Sequence, residues 1–377
     1  MKVLSQDARK SVHDRGVLPL IIGFALIVTV LWETFETIIL PRRVRRRFRL
    51  TRLYYRATWR PWSALAVQIR SKSHRETWLS FFGPLSLIGL LVTWAGALVL
   101  GFALIHVGLG LGIREHDGAP DFGTAIYLSA STFFTLGLGD VVPITWPERM
   151  VTALEAGIGF GFLALVIGYL PVIYQSFSRR EVIISMLDSR AGSPPTAIEL
   201  LRRHAEDNSL DKVEELLRDW EEWSAELLES HLSYPVLAYF RSQHDNQSWL
   251  AALTTILDAC ALVMSAVKGA STRQARLTFA MARHTVVDLS QVFNTRPNFD
   301  HSDRLDPADL PRLQAALRAA GLETEDVDGQ RLAHFRRMYE PYVHALARFL
   351  RMSLPPWIPA TSRKDNWQTT AWEEDRE

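Results

Sequence analysis

Three long apolar stretches dominate the first half of the chain, over residues 17–40, 79–111 and 150–177. The second contains no Asp, Glu, Lys or Arg, and the third contains none from residue 156 onwards. A helix needs about 20 apolar residues to cross a bilayer, and a soluble core helix is rarely so uniformly apolar. The pattern therefore predicts three transmembrane helices.

In the second half, apolar residues recur at helical spacing among charged ones. This spacing predicts helices over about 197–230, 234–268, 272–294, 307–320 and 328–352. The sequence has no alternating strand pattern and no Gly-x-Gly-x-x-Gly motif after a strand, which argues against a Rossmann-type nucleotide-binding domain. We expect an all-α membrane protein with a helical cytoplasmic domain.

Charge divides the chain in the same way. Residues 1–178 carry 18 Lys/Arg against 11 Asp/Glu, whereas residues 179–377 carry 24 against 30. Residues 41–75 hold 12 Lys/Arg and no acid, so the positive-inside rule places them in the cytoplasm. We expect a multi-pass protein of the inner cell membrane, with its N-terminus outside and its C-terminus in the cytoplasm.

Arginines and aromatic residues are interleaved between residues 41 and 62. This composition is typical of a helix lying on anionic lipid headgroups, and we expect Arg42 to Arg60 to contact them. The same composition also suits nucleic acid. Because the segment is tethered to the bilayer at both ends, we favour the lipid and expect no nucleic-acid partner.

Two acids, Glu33 and Glu36, lie on one face of the first apolar stretch. A charge at the centre of a transmembrane helix costs about 2.5–3.5 kcal/mol. We expect both carboxylates either to snorkel to the membrane interface or to pair with arginines of residues 42–47, and a role in ion conduction is the alternative. The single cysteine, Cys260, excludes an intrachain disulfide and a cysteine-based metal site, and we expect it in the core.

The segment 122–134 is apolar but too short to span a bilayer, and it leads into Thr-Leu-Gly-Leu-Gly-Asp at residues 135–140. Non-helical backbone at membrane depth has to line a water-filled path or be buried in protein. Glycine tolerates positive φ, so Gly137 and Gly139 allow consecutive carbonyls to point the same way. The sequence predicts a re-entrant helix followed by an ordered loop.

This loop resembles the selectivity filter of the potassium channel superfamily, whose usual pattern is Thr-Val/Ile/Leu-Gly-Tyr/Phe-Gly-Asp. Over about residues 80–178 the chain is similar to bacterial two-transmembrane channels of the "ion transport 2" type. The resemblance implies a homotetramer in which four loops supply a ring of carbonyls to K⁺. It assigns the filter to Thr135, Leu136, Gly137, Leu138, Gly139 and Asp140, with the Thr135 hydroxyl innermost and Asp140 at the outer mouth.

Leu138 departs from the family pattern, which has Tyr or Phe at this position. The aromatic side chain braces the filter, so leucine keeps the carbonyls but loses bulk and a hydrogen bond. A potassium-selective channel is the favoured function. The alternatives are a non-selective cation channel, a non-conducting signalling or scaffold protein, and an enzyme tethered to a channel-like anchor. We expect no enzymatic activity and no cofactor beyond permeant K⁺.

The third apolar stretch contains candidates for gating and for filter support. The resemblance implies a gating hinge at Gly159, with Gly157, Gly161 and Gly168 as competitors, and Pro171 offers a second kink. Glycine also serves close packing in membrane helices.

Glu155 is an acid within a membrane span and is therefore a functional candidate. We expect it to bond Ser129, Ser131 or Thr132 behind the filter, either in support of the filter or as a structural tie.

These patterns divide the chain into six parts. They are an N-terminal transmembrane helix (1–40), a basic interfacial segment (41–78), a pore domain (79–178), a linker (179–196), a helical cytoplasmic domain (197–355) and a C-terminal tail (356–377).

Overall fold

The computed structural model describes most of the chain. The described residues are 3–40, 49–115, 118–205, 210–268, 270–299, 303–324, 327–358 and 365–368. Arginines 42–47, whose pairing and lipid contact the sequence predicted, lie outside the described residues, as does most of the predicted tail.

Helices make up almost all of the regular structure. The α-helices are α1 (Val3–Thr34), α2 (Leu50–Gln68), α3 (Lys72–Gly108), α4 (Phe122–Phe133), α5 (Trp146–Ala191), α6 (Ala197–Ala205), α7 (Leu210–Ser233), α8 (Trp249–Ser265), α9 (Thr272–Val292), α10 (Leu310–Ala319) and α11 (Gly329–Leu350). The strands β1 (Ile113–Arg114) and β2 (Val142–Pro143) pair antiparallel, with Ile113 opposite Pro143.

Short helical turns complete the element order. A π-helical turn over Phe35–Ile39 extends α1, and 3₁₀ turns lie at Pro235–Tyr239, Pro307–Asp309 and Asn366–Gln368.

Within the part of the chain that the structure describes, three helices are long and apolar enough to cross a membrane, over Gly16–Ile39, Lys72–Gly108 and Trp146–Ala191. The predicted all-α membrane class is confirmed. Helices α3 and α5 are longer than the apolar stretches that identified them. Residues 179–191, assigned to a linker from the sequence, continue α5 as helix.

The chain divides into two compact units. The first contains Met1–Pro61 and Pro84–Ile173, and the second contains Trp62–Gly83 and Tyr174–Glu377. The first holds the apolar segments with the glycine motif, and the second holds most of the charged helices.

In the first unit, glycines allow α1 and α3 to approach closely. A Cβ on Gly23 would lie 2.5 Å from the carbonyl oxygen of Gly101, and one on Gly16 would lie 3.0 Å from that of Gly108. The glycines are seven residues apart on both helices, so they recur on one face of each. Small residues of this kind let helix backbones touch in membranes, where packing rather than hydrophobicity drives association.

The two acids of the first apolar stretch meet the start of α2. One carboxylate oxygen of Glu33 accepts from the backbone N–H and the hydroxyl of Thr51, at 3.2 and 2.9 Å. Glu36 accepts from the indole of Trp32 at 2.7 Å and lies 3.9 Å from Arg49. Glu33 therefore satisfies an N-terminal N–H of α2, and Glu36 pairs with an arginine just beyond the predicted block.

In the second unit, α8 is the core helix. Every residue of α8 is buried, and α6, α7, α9 and α11 pack around it. Cys260 lies on this helix and is buried, as predicted. Its neighbours α7, α9 and α11 bury one face each and expose charged residues on the other, which explains the helical periodicity of the sequence.

Buried polar groups fix the last turns of α5 within this unit. The guanidinium of Arg180 donates to the carbonyl oxygens of Leu237 and Phe240, each at 2.9 Å, and lies 2.8 Å from Glu181. It also lies 3.3 Å from Nε2 of His231, whose Nδ1 is 2.8 Å from the carbonyl of Leu227. His231 therefore donates through Nδ1 and accepts through Nε2, which is the neutral form.

Stability should depend on pH through His231. Burial and, secondarily, the charge of Arg180 hold the pKa of His231 well below its ordinary value. The unfolded chain binds a proton there below about pH 6.5, whereas the folded chain does not, so unfolding is favoured by about 1.4 kcal/mol per pH unit as the pH falls. In denaturation of the full chain between pH 5 and 7, His231→Gln should reduce this slope. The exposed His284→Gln should leave it intact, and equal slopes in all three proteins would contradict the assignment.

Candidate functional site

A capped helix leads into the glycine motif. At the start of α4, Asp121 accepts from the backbone N–H of Thr124 at 2.9 Å, and the Thr124 hydroxyl accepts from the backbone N–H of Asp121 at 3.2 Å. The same hydroxyl lies 2.7 Å from Glu115. This reciprocal capping box satisfies the first N–H groups of a short helix, so the start of α4 is fixed.

The TLGLGD motif, residues 135–140, follows α4 with an alternating backbone. Thr135, Gly137 and Gly139 have positive φ angles of 56°, 57° and 81°, whereas Leu136 and Leu138 do not. The two glycines thus adopt the conformation that their residue type permits. The positive φ of Thr135 was not predicted, because a threonine in this region costs about 1–2 kcal/mol. Its persistence indicates that the surroundings enforce the alternation.

The end of α4 supplies that enforcement. The N–H of Leu136 donates to the backbone carbonyl of Ser131 at 2.7 Å, and the N–H of Gly137 donates to the Ser131 hydroxyl at 3.2 Å. The N–H of Thr135 donates to the carbonyl of Thr132 at 3.0 Å. Two of the three predicted support residues therefore contact the motif, Ser131 through its side chain and backbone and Thr132 through its backbone.

The far end of the motif is also tied to α4. The hydroxyl of Tyr127 donates to the carboxylate of Asp140 at 2.8 Å. The side chain of Leu138 is 65% exposed in the single chain. A tyrosine hydroxyl thus does bond to the motif, but it belongs to Tyr127 of α4 and not to the residue at position 138.

Glycine 159 lies where α5 crosses the end of α4. A Cβ on Gly159 would lie 2.3 Å from the carbonyl oxygen of Phe133, whereas one on Gly157, Gly161 or Gly168 would meet nothing within 4 Å. Gly159 is thus set apart from its competitors by close packing. The α-helix runs unbroken through Gly159 and Pro171, and their role as hinges stays a prediction.

A buried histidine joins two carboxylates behind α4. Nδ1 of His106, near the end of α3, contacts Glu148, and Nε2 lies 3.5 Å from Glu155. All three side chains are fully buried. The hydroxyl of Ser129 on α4 is also buried but forms no hydrogen bond within the described part of the chain, so the expected bond from Glu155 to α4 stays a prediction.

Glu148 extends this network to the loop after α3. Its second oxygen accepts from the N–H of Gly112 at 3.1 Å. The carbonyl of Gly112 accepts in turn from the N–H groups of Ile144 and Thr145, at 2.9 and 3.3 Å. The network therefore joins α3, α5 and the segment after the TLGLGD motif. Burial requires both carboxylates to have partners, and His106 is the partner that they share.

The sequence-based predictions did not include Tyr127, His106 and Glu148. The sequence did contain a pattern that points to Glu148: it lies seven residues before Glu155, so the two acids share a helical face. The pattern that points to His106 is its position in the apolar stretch 79–111, which contains no Asp, Glu, Lys or Arg.

Comparison with known proteins agrees with this geometry. Residues 89–175 match a family model described as "Ion channel". The chain is 23% identical over 183 residues to a Bacillus subtilis (strain 168) protein named "Uncharacterized membrane protein YdjJ", covering 48% of this chain and 53% of the relative. The chain thus matches about half the length of this curated relative. No solved structure matches the chain.

Removing the histidine should destabilise the first unit. His106→Leu leaves two buried carboxylates without their shared partner, and removing one member of a buried ion pair typically costs about 3–5 kcal/mol. Denaturation of the purified full chain in detergent measures the loss. The control is His74→Leu, which alters an exposed histidine on the same helix and should have little effect. Equal stability of the two variants would refute the network's role.

Packing at residue 159 leads to an independent prediction. Gly159→Ala should destabilise the protein by roughly 1–3 kcal/mol, because the added methyl overlaps the Phe133 carbonyl. Gly157→Ala has free space and should stabilise the helix by up to about 1 kcal/mol. If Gly159→Ala were as stable as Gly157→Ala in the same denaturation experiment, close packing would not be the reason for this glycine.

Proposed function

We propose, from the match of residues 89–175 to an ion channel domain, that four copies of this chain form a channel that conducts K⁺ passively. The TLGLGD motif, residues 135–140, is its selectivity filter. The observation that carries the proposal is the alternation of positive φ at Thr135, Gly137 and Gly139.

That alternation matters because of the chemistry of a dehydrated cation. K⁺ leaves water only where oxygen atoms replace its hydration shell, and rings of backbone carbonyls do so in channels. An extended backbone points successive carbonyls in opposite directions, whereas alternation with the left-handed region turns them to one side. The Thr135 hydroxyl then adds the innermost oxygen, and Asp140 attracts cations at the outer mouth.

The exposure of the motif supports a homotetramer. Residues 134–140 are all exposed in the single chain. A chain that spans a membrane has to bury non-helical backbone in protein or place it along a water-filled path. Three further copies around a common axis meet that requirement, because each supplies one quarter of the wall.

The basic helix supports the proposed lipid contact and orientation. Arg52, Arg56 and Arg60 recur every four residues on the exposed face of α2, while Tyr55 and Trp59 are buried on the other. Arginines on one face of an amphipathic helix suit anionic headgroups. We place this helix on the cytoplasmic leaflet of the inner membrane, with the N-terminus outside and the second unit in the cytoplasm. The interaction needs no nucleic acid.

A non-selective cation channel is the second candidate, and Leu138 is the observation that favours it. Leucine offers no hydroxyl to hold the carbonyl ring at the diameter of K⁺. The bond from Tyr127 to Asp140 ties only the end of the motif. The match of residues 89–175 to an ion channel domain also favours a chain that is not an enzyme, and we propose no reaction for it.

Bilayer recording of the reconstituted full chain tests the function. With K⁺ on one side and Na⁺ on the other, the reversal potential should lie on the K⁺-selective side. Leu138→Tyr should raise the K⁺/Na⁺ permeability ratio roughly 2- to 10-fold, since one hydrogen bond contributes about 0.5–1.5 kcal/mol. Leu136→Val, which also fits the family pattern, is the control and should leave the ratio unchanged.

Two outcomes would contradict the proposal. A reversal potential near zero in the wild-type chain would favour the non-selective channel. Absence of current in wild type and variants alike, with the protein folded and inserted, would favour a scaffold.

A further inference from the structure

A cavity of about 760 Å³ lies within the second unit. One wall comes from the end of α2 and the first turns of α3, and the other comes from the end of α11 and the segment after it. Its volume is in the range of about 300–1,000 Å³ that is usual for small-molecule sites. It is therefore large enough for an organic molecule rather than an ion alone.

The charges that line this cavity are unbalanced. Arginines 75, 304, 348 and 351 line it together with a single acid, Glu76. Among the described residues, the side chains of Arg348 and Arg351 form no ion pair. The cavity therefore presents an excess of guanidinium groups.

The one acid of the lining does not offset this excess. Glu76 lies 3.5 Å from Arg241, which is outside the lining, and its charge is matched there. Arg241 also donates to the carbonyl oxygens of Leu350 and Arg351, at the end of α11. These carbonyls form the negative end of the helix dipole and would repel an anion. Their contact with Arg241 reduces that repulsion.

One of the four arginines is buried with an unused donor. Both terminal nitrogens of Arg304 bond to Asp258, at 2.9 and 2.6 Å, and one of them also lies 3.0 Å from Glu340. The side chain is only 7% exposed. Its Nε is buried and has no hydrogen-bond partner. A buried N–H without a partner carries a desolvation penalty of about 1–3 kcal/mol. Because Asp258 and Glu340 already match the charge of Arg304, the charge excess of the cavity rests on Arg75, Arg348 and Arg351.

Most of the remaining lining is apolar, and one wall is held in place. Leu79, Ala347 and Met352 are among the side chains that line the cavity. At the α2–α3 turn the rings of Trp62 and Trp78 stack at 4.4 Å, and each indole donates to the other residue's carbonyl oxygen. The contact between Trp62 and Trp78 holds the end of α2 against the start of α3, which carries Arg75. This wall of the cavity is therefore formed before any ligand binds.

We propose that this cavity binds a phosphate-bearing organic molecule. Guanidinium groups bond phosphate oxygens in a bidentate fashion, and several arginines match the charge of a dianion. The apolar wall receives the organic part of the ligand. The phosphate comes either from a soluble phosphate ester or from an anionic lipid headgroup.

Binding is tested on the full chain in phosphatidylcholine nanodiscs, by the unfolding temperature at constant ionic strength. Glycerol phosphate is the soluble probe, and nanodiscs containing phosphatidylglycerol are the lipid probe. A ligand that binds the folded state raises the unfolding temperature in a saturable manner. The double variant Arg348→Ala/Arg351→Ala should weaken binding about tenfold or more, because it removes two charge-assisted contacts.

The matched control is Arg331→Ala/Arg337→Ala, which removes two exposed arginines from α11 that do not line the cavity. It should bind as the wild type does. Stabilisation by glycerol phosphate that only the cavity variant loses identifies a soluble ligand, and stabilisation by phosphatidylglycerol alone with the same loss identifies a lipid. No stabilisation by either probe, or equal loss in the two double variants, overturns the inference. Channel activity does not enter this measurement, so its outcome is distinct from that of the recording.

Discussion

The structure of the first unit depends on holding the six residues of the TLGLGD motif in a backbone conformation that isolated chains avoid. Thr135 is the clearest sign, because a β-branched residue with positive φ is unfavourable unless its surroundings impose it. The surroundings here are the last turn of α4, through Ser131, and its middle, through Tyr127. Helix α4 is in turn capped at its start and packed against Gly159 at its end. Each of these contacts contributes little free energy alone, but together they restrict the motif to one backbone conformation.

The buried network around His106 also helps to hold the segments around the TLGLGD motif in place. Two carboxylates inside an apolar unit are costly unless charge or hydrogen bonds compensate them. The contacts of His106 with Glu148 and Glu155 supply that compensation and connect three segments that are distant in sequence. Through Gly112 the same network reaches the segment that follows the motif. These buried hydrogen bonds thus fix the relative positions of α3, α5 and the segment after the motif, which apolar packing alone would specify less precisely.

The sequence predicted the membrane spans well, because soluble helices rarely contain such long and uniformly apolar runs. It predicted their ends less well, since the ends are set by tertiary contacts. Helix α3 begins at Lys72 rather than residue 79, and Glu76 in its first turns pairs with Arg241. Helix α5 continues to Ala191 because Ile184 and Leu187 are buried in the second unit.

Other elements show the same limit. The predicted helix 234–268 is shorter in the structure, Trp249–Ser265, because Pro235 starts a 3₁₀ turn and the intervening residues form turns. The glycine motif was predictable because its residue types are tied to local backbone conformation. His106 and Glu148 were not, because a contact across 42 residues leaves no local pattern.

Both units contain buried charges that are paired, and the cavity of the second unit differs from these networks because it also carries arginines that form no ion pair among the described residues. In the first unit the carboxylates of Glu148 and Glu155 are buried, and a buried histidine contacts both. In the second unit Arg304 is likewise buried and paired through its terminal nitrogens, but Arg348 and Arg351 line the cavity and form no ion pair with any residue that the structure describes. Cations can remain unpaired there because water solvates them. A concave surface that gathers such cations around an apolar wall lowers the cost of bringing an anion out of water.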